Sequence, residues 1–137
     1  MKIVFVNGCF DVLHPGHIKL FQYAKSLGDY LIVAIDSDEK VALDKGPDRP
    51  IFSLEDRKLI LESIKGIDIV HTFDSREGLE NLLECIRPDI LVVGSDWKNG
   101  IVVGREYAKE VRFFERQGDY STSRTIQGIS YRGNMRR

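Results

Sequence analysis

The segment from Asn7 to His17, NGCFDVLHPGH, carries two histidines three residues apart across a Pro-Gly pair. It follows an apolar run and leads into an amphipathic segment. The N–H groups and positive dipole end of a starting helix attract phosphate, and Gly8 and Gly16 allow a ligand to approach the backbone closely. The imidazoles of His14 and His17 can donate further hydrogen bonds to phosphate oxygens. The segment therefore predicts a phosphate site.

Two other interpretations of the histidine pair start from the same residues. A zinc site is disfavoured, because no cysteine or third histidine stands at a suitable spacing and His71 is the one other histidine in the chain. Two loop histidines without a function are the ordinary alternative, and the pair by itself leaves that alternative open. The glycine-rich entry into a helix favours phosphate.

The composition limits the class of protein and its partners. A chain of 137 residues fits one domain, and 42% hydrophobic with 30% charged residues is typical of globular proteins. The 20 basic and 21 acidic residues nearly cancel. No overall field then attracts nucleic acid or an anionic membrane, so we expect neither as a partner. Any bound anion must be held by a local cluster.

The cysteines and apolar runs predict a cytoplasmic protein. Cys9 and Cys85 are far apart and fit neither a disulfide framework nor a zinc site. Each apolar run is shorter than the roughly 18 residues that a membrane span needs, and the first residues enter a strand without a signal-peptide pattern. A homodimer formed through an exposed apolar helix face is compatible with the sequence.

Hydrophobic periodicity predicts alternating strands and helices. Strands are expected over 3–6, 30–35, 67–71, 89–94 and 111–115. Helices are expected over 17–28 with Gly28 as C-cap, from Ser53 to Gly66, over 76–86 after Ser75, over about 104–109, and from Ser121 to Ile129. The polar stretch 39–52 is expected to be one long loop, residues 1–130 one domain, and 131–137 a basic, flexible tail.

This alternation predicts a Rossmann-like α/β fold, a doubly wound parallel sheet of five strands with helices on both faces. The ligand site of such a sheet lies beyond the carboxyl ends of its strands. The segments NGCFDVLHPGH, DSDEK, GSDWKNG and RQGDYSTS follow strands and should meet at that edge. Neither a P-loop nor a dinucleotide-binding glycine motif is present, so phosphate must be bound in another way.

Four separated motifs resemble those of the nucleotidylyltransferase superfamily, also described as cytidylyltransferase-like. GCFDVLHPGH is similar to its G-x-F-D-x-x-H-x-G-H signature. KGPDRPIFSLEDRKLIL resembles bacterial heptose 1-phosphate adenylyltransferases and, over RKLIL, glycerol-3-phosphate cytidylyltransferases. GSDW and RQGDYSTS resemble the elements G-x-D-[WY] and R-x-x-G-x-S-T-[TS]. The motifs occur in the family's order and cover residues 3 to about 129.

The resemblance implies an enzyme that transfers a nucleoside monophosphate from an NTP to a phosphorylated small molecule and releases pyrophosphate. The acceptor's phosphate oxygen would attack the α-phosphorus in line, without a covalent enzyme intermediate. His14, His17, Lys45 and Arg57 are the catalytic residues that it implies. For Lys45 and Arg57 solvated surface charge is the alternative that sequence position favours.

The resemblance also implies binding residues. Those expected at the nucleotide are Gly8, Phe10, Asp11, Gly16, Gly94, Asp96, Trp97, Arg116, Ser121 and Thr122. Asp38 and Arg49 are expected at the acceptor, although a loop salt bridge is an equal alternative for Arg49. Asp11 is expected to orient the loop or the ligand rather than to act as a base, since the attacking phosphate is already ionised. Mg²⁺ is expected to arrive with the NTP, without protein ligands.

Three functions are compatible with the sequence. Adenylyl transfer from ATP to a sugar (heptose) 1-phosphate is favoured by KGPDRPIFSLEDR and by IVVGREYAKEV. Transfer from CTP to glycerol 3-phosphate is the main rival. A nucleotide-binding regulatory module without turnover belongs to another class, and its signature, a lost histidine or lysine in the motifs, is not seen.

Overall fold

The computed structural model describes residues 1–95, 100–115 and 126. Within them the strands are β1 (Ile3–Gly8), β2 (Tyr30–Asp36), β3 (Ile69–Phe73), β4 (Ile90–Gly94) and β5 (Glu110–Phe114). The helices are α1 (Pro15–Ser26), α2 (Asp38–Lys45), α3 (Leu54–Glu62) and α4 (Arg76–Ile86), with a 3₁₀ turn at Arg105–Tyr107.

The five strands form one parallel sheet in the order β3-β2-β1-β4-β5. Val4 of β1 pairs with Leu31 of β2 on one side and with Ile90 of β4 on the other. The chain runs outward from β1 through β3 and then returns to β4, so the direction of winding reverses between β1 and β4. Ligands bind at such a reversal in parallel sheets. The predicted five-stranded Rossmann-like fold is confirmed.

The core lies in two layers, one on each face of the sheet. Alternate residues of a strand point to opposite faces, so Val4 and Val6 pack beneath α1 and α3 with Phe21 and Leu61. Phe5 points the other way and packs with residues of α4. Strand residues buried on both faces explain the continuous apolar runs in the sequence. The sheet is thereby a rigid support for the loops at its carboxyl edge.

The prediction of one long loop over 39–52 is wrong for its first half, which belongs to α2. The hydroxyl of Ser37 accepts a hydrogen bond from the Lys40 N–H at 3.2 Å and caps the helix. Asp38 and Glu39 in the first turn stabilise the positive end of its dipole. The polar composition concealed the helix, because the prolines restrict only the segment that follows it.

Two helix ends also differ from prediction. α3 ends at Glu62 rather than at Gly66, which lies in the following turn at φ 101°. Leu27 is the C-cap of α1, and a Cβ on Gly28 would lie 2.8 Å from the carbonyl oxygen of Lys2. Gly28 is therefore required for close packing against the start of the sheet. The predicted helix from Ser121 to Ile129 lies outside the described residues, apart from Ile126.

Candidate active site

A cleft of about 800 Å³ opens at the carboxyl ends of the strands. Gly8 and Gly94 contribute the ends of β1 and β4, and Lys40 and Lys45 contribute one wall from α2. The apolar segment 101–103 forms part of another wall. The cleft thus lies across the β1–β4 reversal, where a doubly wound sheet binds its ligand.

Both predicted histidines lie at the N-terminus of α1, where their side chains cap the helix. His14 is the N-cap, and its Nδ1 accepts a hydrogen bond from the Gly16 N–H at 3.1 Å. His17 returns the contact, since its Nδ1 accepts from the His14 N–H at 3.1 Å. This is a capping box in which imidazoles replace the usual Ser and Glu.

The capping bonds assign the protons of the two rings. A nitrogen that accepts a hydrogen bond carries no proton, so a neutral ring in this arrangement has its proton on Nε2. The rings of His14 and His17 are stacked with centroids 3.8 Å apart. The two stacked rings therefore lie at the N-terminal, positive end of the α1 dipole, a position suited to binding phosphate.

The loop before α1 is held in a strained conformation. Phe10 and Val12 have positive φ angles of 49° and 53°, which residues other than glycine rarely adopt. The buried Phe10 ring meets the His17 ring edge-on at a centroid distance of 5.6 Å. A Cβ on Gly8 would lie 3.0 Å from the Phe10 ring. Glycine at position 8 thus allows the aromatic support of His17 to fold back over the end of β1.

Asp11 anchors the loop that joins α2 to α3. It is 1% exposed, and its two carboxylate oxygens accept from the N–H groups of Ile51 at 2.5 Å and Phe52 at 3.0 Å. The Arg49 Nε lies 3.6 Å from the same carboxylate. Asp11 therefore orients a loop, one of the two roles that the sequence allowed, and Arg49 makes the loop salt bridge that was its alternative.

Arg57 joins three segments of the chain from a buried position. It is 1% exposed. Its guanidinium donates to the carbonyl oxygen of Cys9 at 3.1 Å, to that of Phe52 at 3.0 Å and to the carboxylate of Asp38 at 2.8 Å. It is not the solvated surface charge that sequence position favoured. These contacts fix the histidine loop relative to the start of α2, so its geometry supports a positioning role.

Some of the predicted site residues line the cleft, and others lie outside its lining. Gly8, Phe10, Lys45 and Gly94 line it. The lining does not include His14, Gly16 and His17, which follow Phe10 at the start of α1, or the loop-bracing set of Asp11, Asp38, Arg49 and Arg57. Asp96, Trp97, Arg116, Ser121 and Thr122 lie outside the described residues.

Burial and charge act in opposite directions on Cys9, which lines the cleft next to Gly8. Burial raises the pKa of its thiol, and the positive charges of Lys45 and Arg57 oppose that rise without cancelling it. The thiol therefore remains protonated at neutral pH. The positive field of Lys45 and Arg57 reaches this end of the cleft.

Sequence reasoning missed three charged residues of the α2 wall. Asp36, Lys40 and Asp44 line the cleft, and the Lys40 ammonium lies 3.3 Å from Asp36 and 2.7 Å from Asp44. Lys40 and Asp44 are four residues apart within α2, a spacing typical of ion pairs on a helix, and this spacing was the available signal. The polar composition of 39–52, which predicts a loop, conceals this spacing.

Within the described residues no three His, Cys, Asp or Glu side chains group so as to hold a metal ion. Among the same residues, no helix has the length and apolar character that crossing a bilayer requires.

Residues 5–128 match the cytidylyltransferase-like family model. The chain belongs to the cytidylyltransferase-like family. This confirms the superfamily resemblance.

Curated relatives share close to half of the residues in the matched region. The bifunctional protein HldE of Helicobacter pylori (strain Shi470) is 47% identical over 128 residues, which cover 93% of this chain and 27% of that protein. The bifunctional protein HldE of Sulfurimonas denitrificans is 44% identical with the same coverage of both proteins. The chain thus spans about a quarter of the length of the relatives that it matches.

Solved structures show the same fold. The lipopolysaccharide core biosynthesis protein of Thermoplasma volcanium is 26% identical with a TM-score of 0.67, over 85% of this chain and 99% of that one. The pantoate-beta-alanine ligase of Francisella tularensis has a TM-score of 0.62 over 89% of this chain and 61% of that one. At 19% identity the latter likeness concerns the fold only.

Proposed function

We propose that this chain is a nucleotidyltransferase that moves the adenylyl group of ATP onto a heptose 1-phosphate and releases pyrophosphate. The observation that carries the proposal is the 44% to 48% identity with HldE proteins over 93% of the chain. The matched region includes KGPDRPIFSLEDR, which resembles heptose 1-phosphate adenylyltransferases. The name of the Thermoplasma volcanium structure, a lipopolysaccharide core biosynthesis protein, agrees with carbohydrate metabolism.

The histidine pair supports stabilisation of charge at the α-phosphorus. An oxygen of the sugar phosphate forms a bond to that phosphorus while the bond to the pyrophosphate oxygen breaks, and negative charge grows on the oxygens between. The Nε2–H groups of His14 and His17 donate to those oxygens. Each contact, if it strengthens in the transition state, contributes about 3 to 4 kcal/mol.

This reaction requires no general base. The attacking phosphate oxygen is already ionised, so the enzyme has to bring two anions together and neutralise them. The capping bonds of His14 and His17 agree with this, because each Nδ1 that accepts a backbone N–H cannot also take up a substrate proton. Lys45, exposed at the end of α2 and directed to the cleft, supplies a further cation.

Arg57 supports the reaction through the positions of other residues. Its bonds to Cys9 and Asp38 hold the loop that precedes the histidines against the helix that carries Lys45. The histidine loop and the lysine helix are then fixed relative to each other before substrate arrives, with Lys45 lining the cleft. Such preorganisation lowers the cost of gathering charge around the phosphates.

Mg²⁺ enters this proposal as a companion of the triphosphate. The described residues offer no cage of three ligands, and Mg²⁺ commonly binds phosphate oxygens and water with few protein ligands. When bound there, it neutralises phosphate charge.

Pyrophosphate release from ATP and CTP, measured across heptose 1-phosphate, hexose 1-phosphates and glycerol 3-phosphate, tests the proposal. We expect the highest kcat/KM for ATP with heptose 1-phosphate. Turnover confined to CTP and glycerol 3-phosphate would instead establish the rival activity, which RKLIL favours. Silence with every pair would contradict both assignments.

A further inference from the structure

The α2 wall of the cleft holds an ion cluster that the proposed chemistry does not use. The Lys40 ammonium lies 2.7 Å from Asp44 and 3.3 Å from Asp36, and 5.8 Å from the centre of the Phe73 ring. These four residues all line the cleft. The Asp36 side chain is 14% exposed, that of Lys40 22% and that of Asp44 53%, so Asp36 and Lys40 are set into the wall and Asp44 lies at its solvent side.

Lys40 stays charged at neutral pH. Partial burial lowers the pKa of its ammonium, but the hydrogen bonds and negative charges of Asp44 and Asp36 outweigh burial and raise the pKa overall. Contacts with described residues take two of its three N–H donors. The third can be given to a ligand.

The cluster is unsuited to phosphate. Two carboxylates around one ammonium leave a net negative charge, and like charges placed together oppose binding. A hydroxyl group fits much better, because it donates to a carboxylate and accepts from an ammonium at the same time. Neighbouring hydroxyls of a polyol can therefore replace water on Asp36, Lys40 and Asp44.

The position of Lys45 completes the argument. It follows Lys40 by five residues, which is about 7.5 Å along the helix axis. Both side chains line the cleft. A ligand with hydroxyls at one end and phosphate at the other can then lie along α2, with its phosphate near Lys45.

We propose that Lys40, held between Asp36 and Asp44, binds the hydroxyl groups of the acceptor and selects among polyhydroxylated phosphates. The proposal rests on the proposed function, since it concerns the same cleft and takes a phosphorylated sugar as acceptor. It makes Lys40 a specificity-determining residue, separate from the residues that contact the transferring phosphorus.

Lys40→Met tests the proposal, with Lys65→Met as the matched control on an exposed turn after α3. Steady-state rates with ATP give KM for each substrate, using heptose 1-phosphate and analogues that each lack one hydroxyl. A hydrogen bond to a charged group accounts for about a tenfold to a hundredfold change in binding. We expect Lys40→Met to raise the acceptor KM by that factor, to leave the ATP KM within about twofold, and to reduce discrimination against at least one deoxy analogue.

The outcomes separate this proposal from the proposed function. An unchanged acceptor KM in Lys40→Met, or a rise confined to the ATP KM, overturns the role of Lys40 while adenylyl transfer stands. If the wild-type protein uses only glycerol 3-phosphate, the heptose assignment fails, and the same KM comparison with that acceptor still decides the role of Lys40. If the wild-type protein uses no polyhydroxylated phosphate, both fail. A change of equal size in Lys65→Met would also count against a local role.

Discussion

The two edges of the parallel sheet use polar side chains for different purposes. At the amino edge, Asp29, Asp68 and Asp89 stand just before β2, β3 and β4, and each accepts a hydrogen bond from a backbone N–H of an adjacent chain segment. The three distances are 2.8, 2.7 and 2.7 Å. At the carboxyl edge, Lys40 and Lys45 line an open cleft, and the stacked rings of His14 and His17 lie at the start of α1.

The difference shows which polar groups serve stability and which remain available for chemistry. The amino-edge carboxylates satisfy N–H groups that would otherwise lack partners at the strand starts. The carboxyl edge directs donors and positive charge into a space large enough for a ligand. Asp11 is an exception at that edge, because it accepts two backbone N–H groups as the amino-edge aspartates do.

The largest effect is expected at His17, on the carboxyl edge. His17→Ala should lower kcat at least about a hundredfold, the scale of a lost transition-state donor. The measurement is the steady-state rate of pyrophosphate release. Because His17 also accepts the His14 N–H, His17→Asn is the matched variant, since its side-chain oxygen can keep that bond. Near-normal rates in either variant would remove His17 from the mechanism.

Asp11→Ala should affect both stability and activity, since it removes the anchor of the loop between α2 and α3. Leaving the N–H groups of Ile51 and Phe52 without this acceptor should cost about 1 to 3 kcal/mol in the free energy of unfolding. Urea unfolding gives that value, and kcat/KM should fall with it. A weaker ATP affinity at unchanged stability would show instead that Asp11 contacts the nucleotide.

At the amino edge the expected effect is on stability and depends on pH. The Ile3 N–H and the Lys109 ammonium hold the pKa of Asp89 below its usual 3.8. The contribution of the ionised Asp89 carboxylate to the free energy of unfolding is therefore fully present above about pH 4, and it disappears as the pH falls through the lowered pKa. Asp89→Asn should lower the melting temperature at pH 7 and leave kcat unchanged. The melting temperature of the variant should also decrease less than that of the wild type as the pH is lowered toward 2. An equal acid-induced fall in both proteins would argue against this linkage.

The smallest effect is expected for the exposed ion pair of Lys25 and Asp68, 2.8 Å apart. Lys25→Met should change the free energy of unfolding by less than about 1 kcal/mol, as solvent screens such pairs. Asp68→Asn should cost more, because it also weakens the bond from the Leu31 N–H. Thermal unfolding of the two variants ranks them, and the reverse order would show that the charge pair matters more than the strand contact.

The sheet could be predicted from sequence because its strands are short apolar runs and its helices begin at recognisable caps. Ser53 and Ser75 cap α3 and α4 as expected. α2 was missed, since the hydroxyl of Ser37 that caps it comes within a polar stretch that resembles a loop. Local composition does not distinguish such a short helix from a loop, because Val41 is the buried residue of α2.

The position of the histidines at the start of a helix could be predicted, but their mutual capping contacts could not. Glycine-rich entry into a helix indicates phosphate from local sequence. Arg57 is held in its buried position by Phe52, Asp38 and Cys9, which are separated from it in sequence by 5, 19 and 48 residues. No local pattern reveals such contacts. No local pattern shows that Asp36, Lys40 and Asp44 line the cleft either, because their placement there depends on both α2 and the sheet.

The most direct test of the central claim is ³¹P NMR of ATP, Mg²⁺ and heptose 1-phosphate incubated with the protein. Attack on the α-phosphorus predicts two coupled resonances of a new diphosphate diester, together with one equivalent of inorganic pyrophosphate. Formation of ADP with a second phosphate on the sugar, or no new diester in the presence of ample enzyme, would contradict adenylyl transfer at this site.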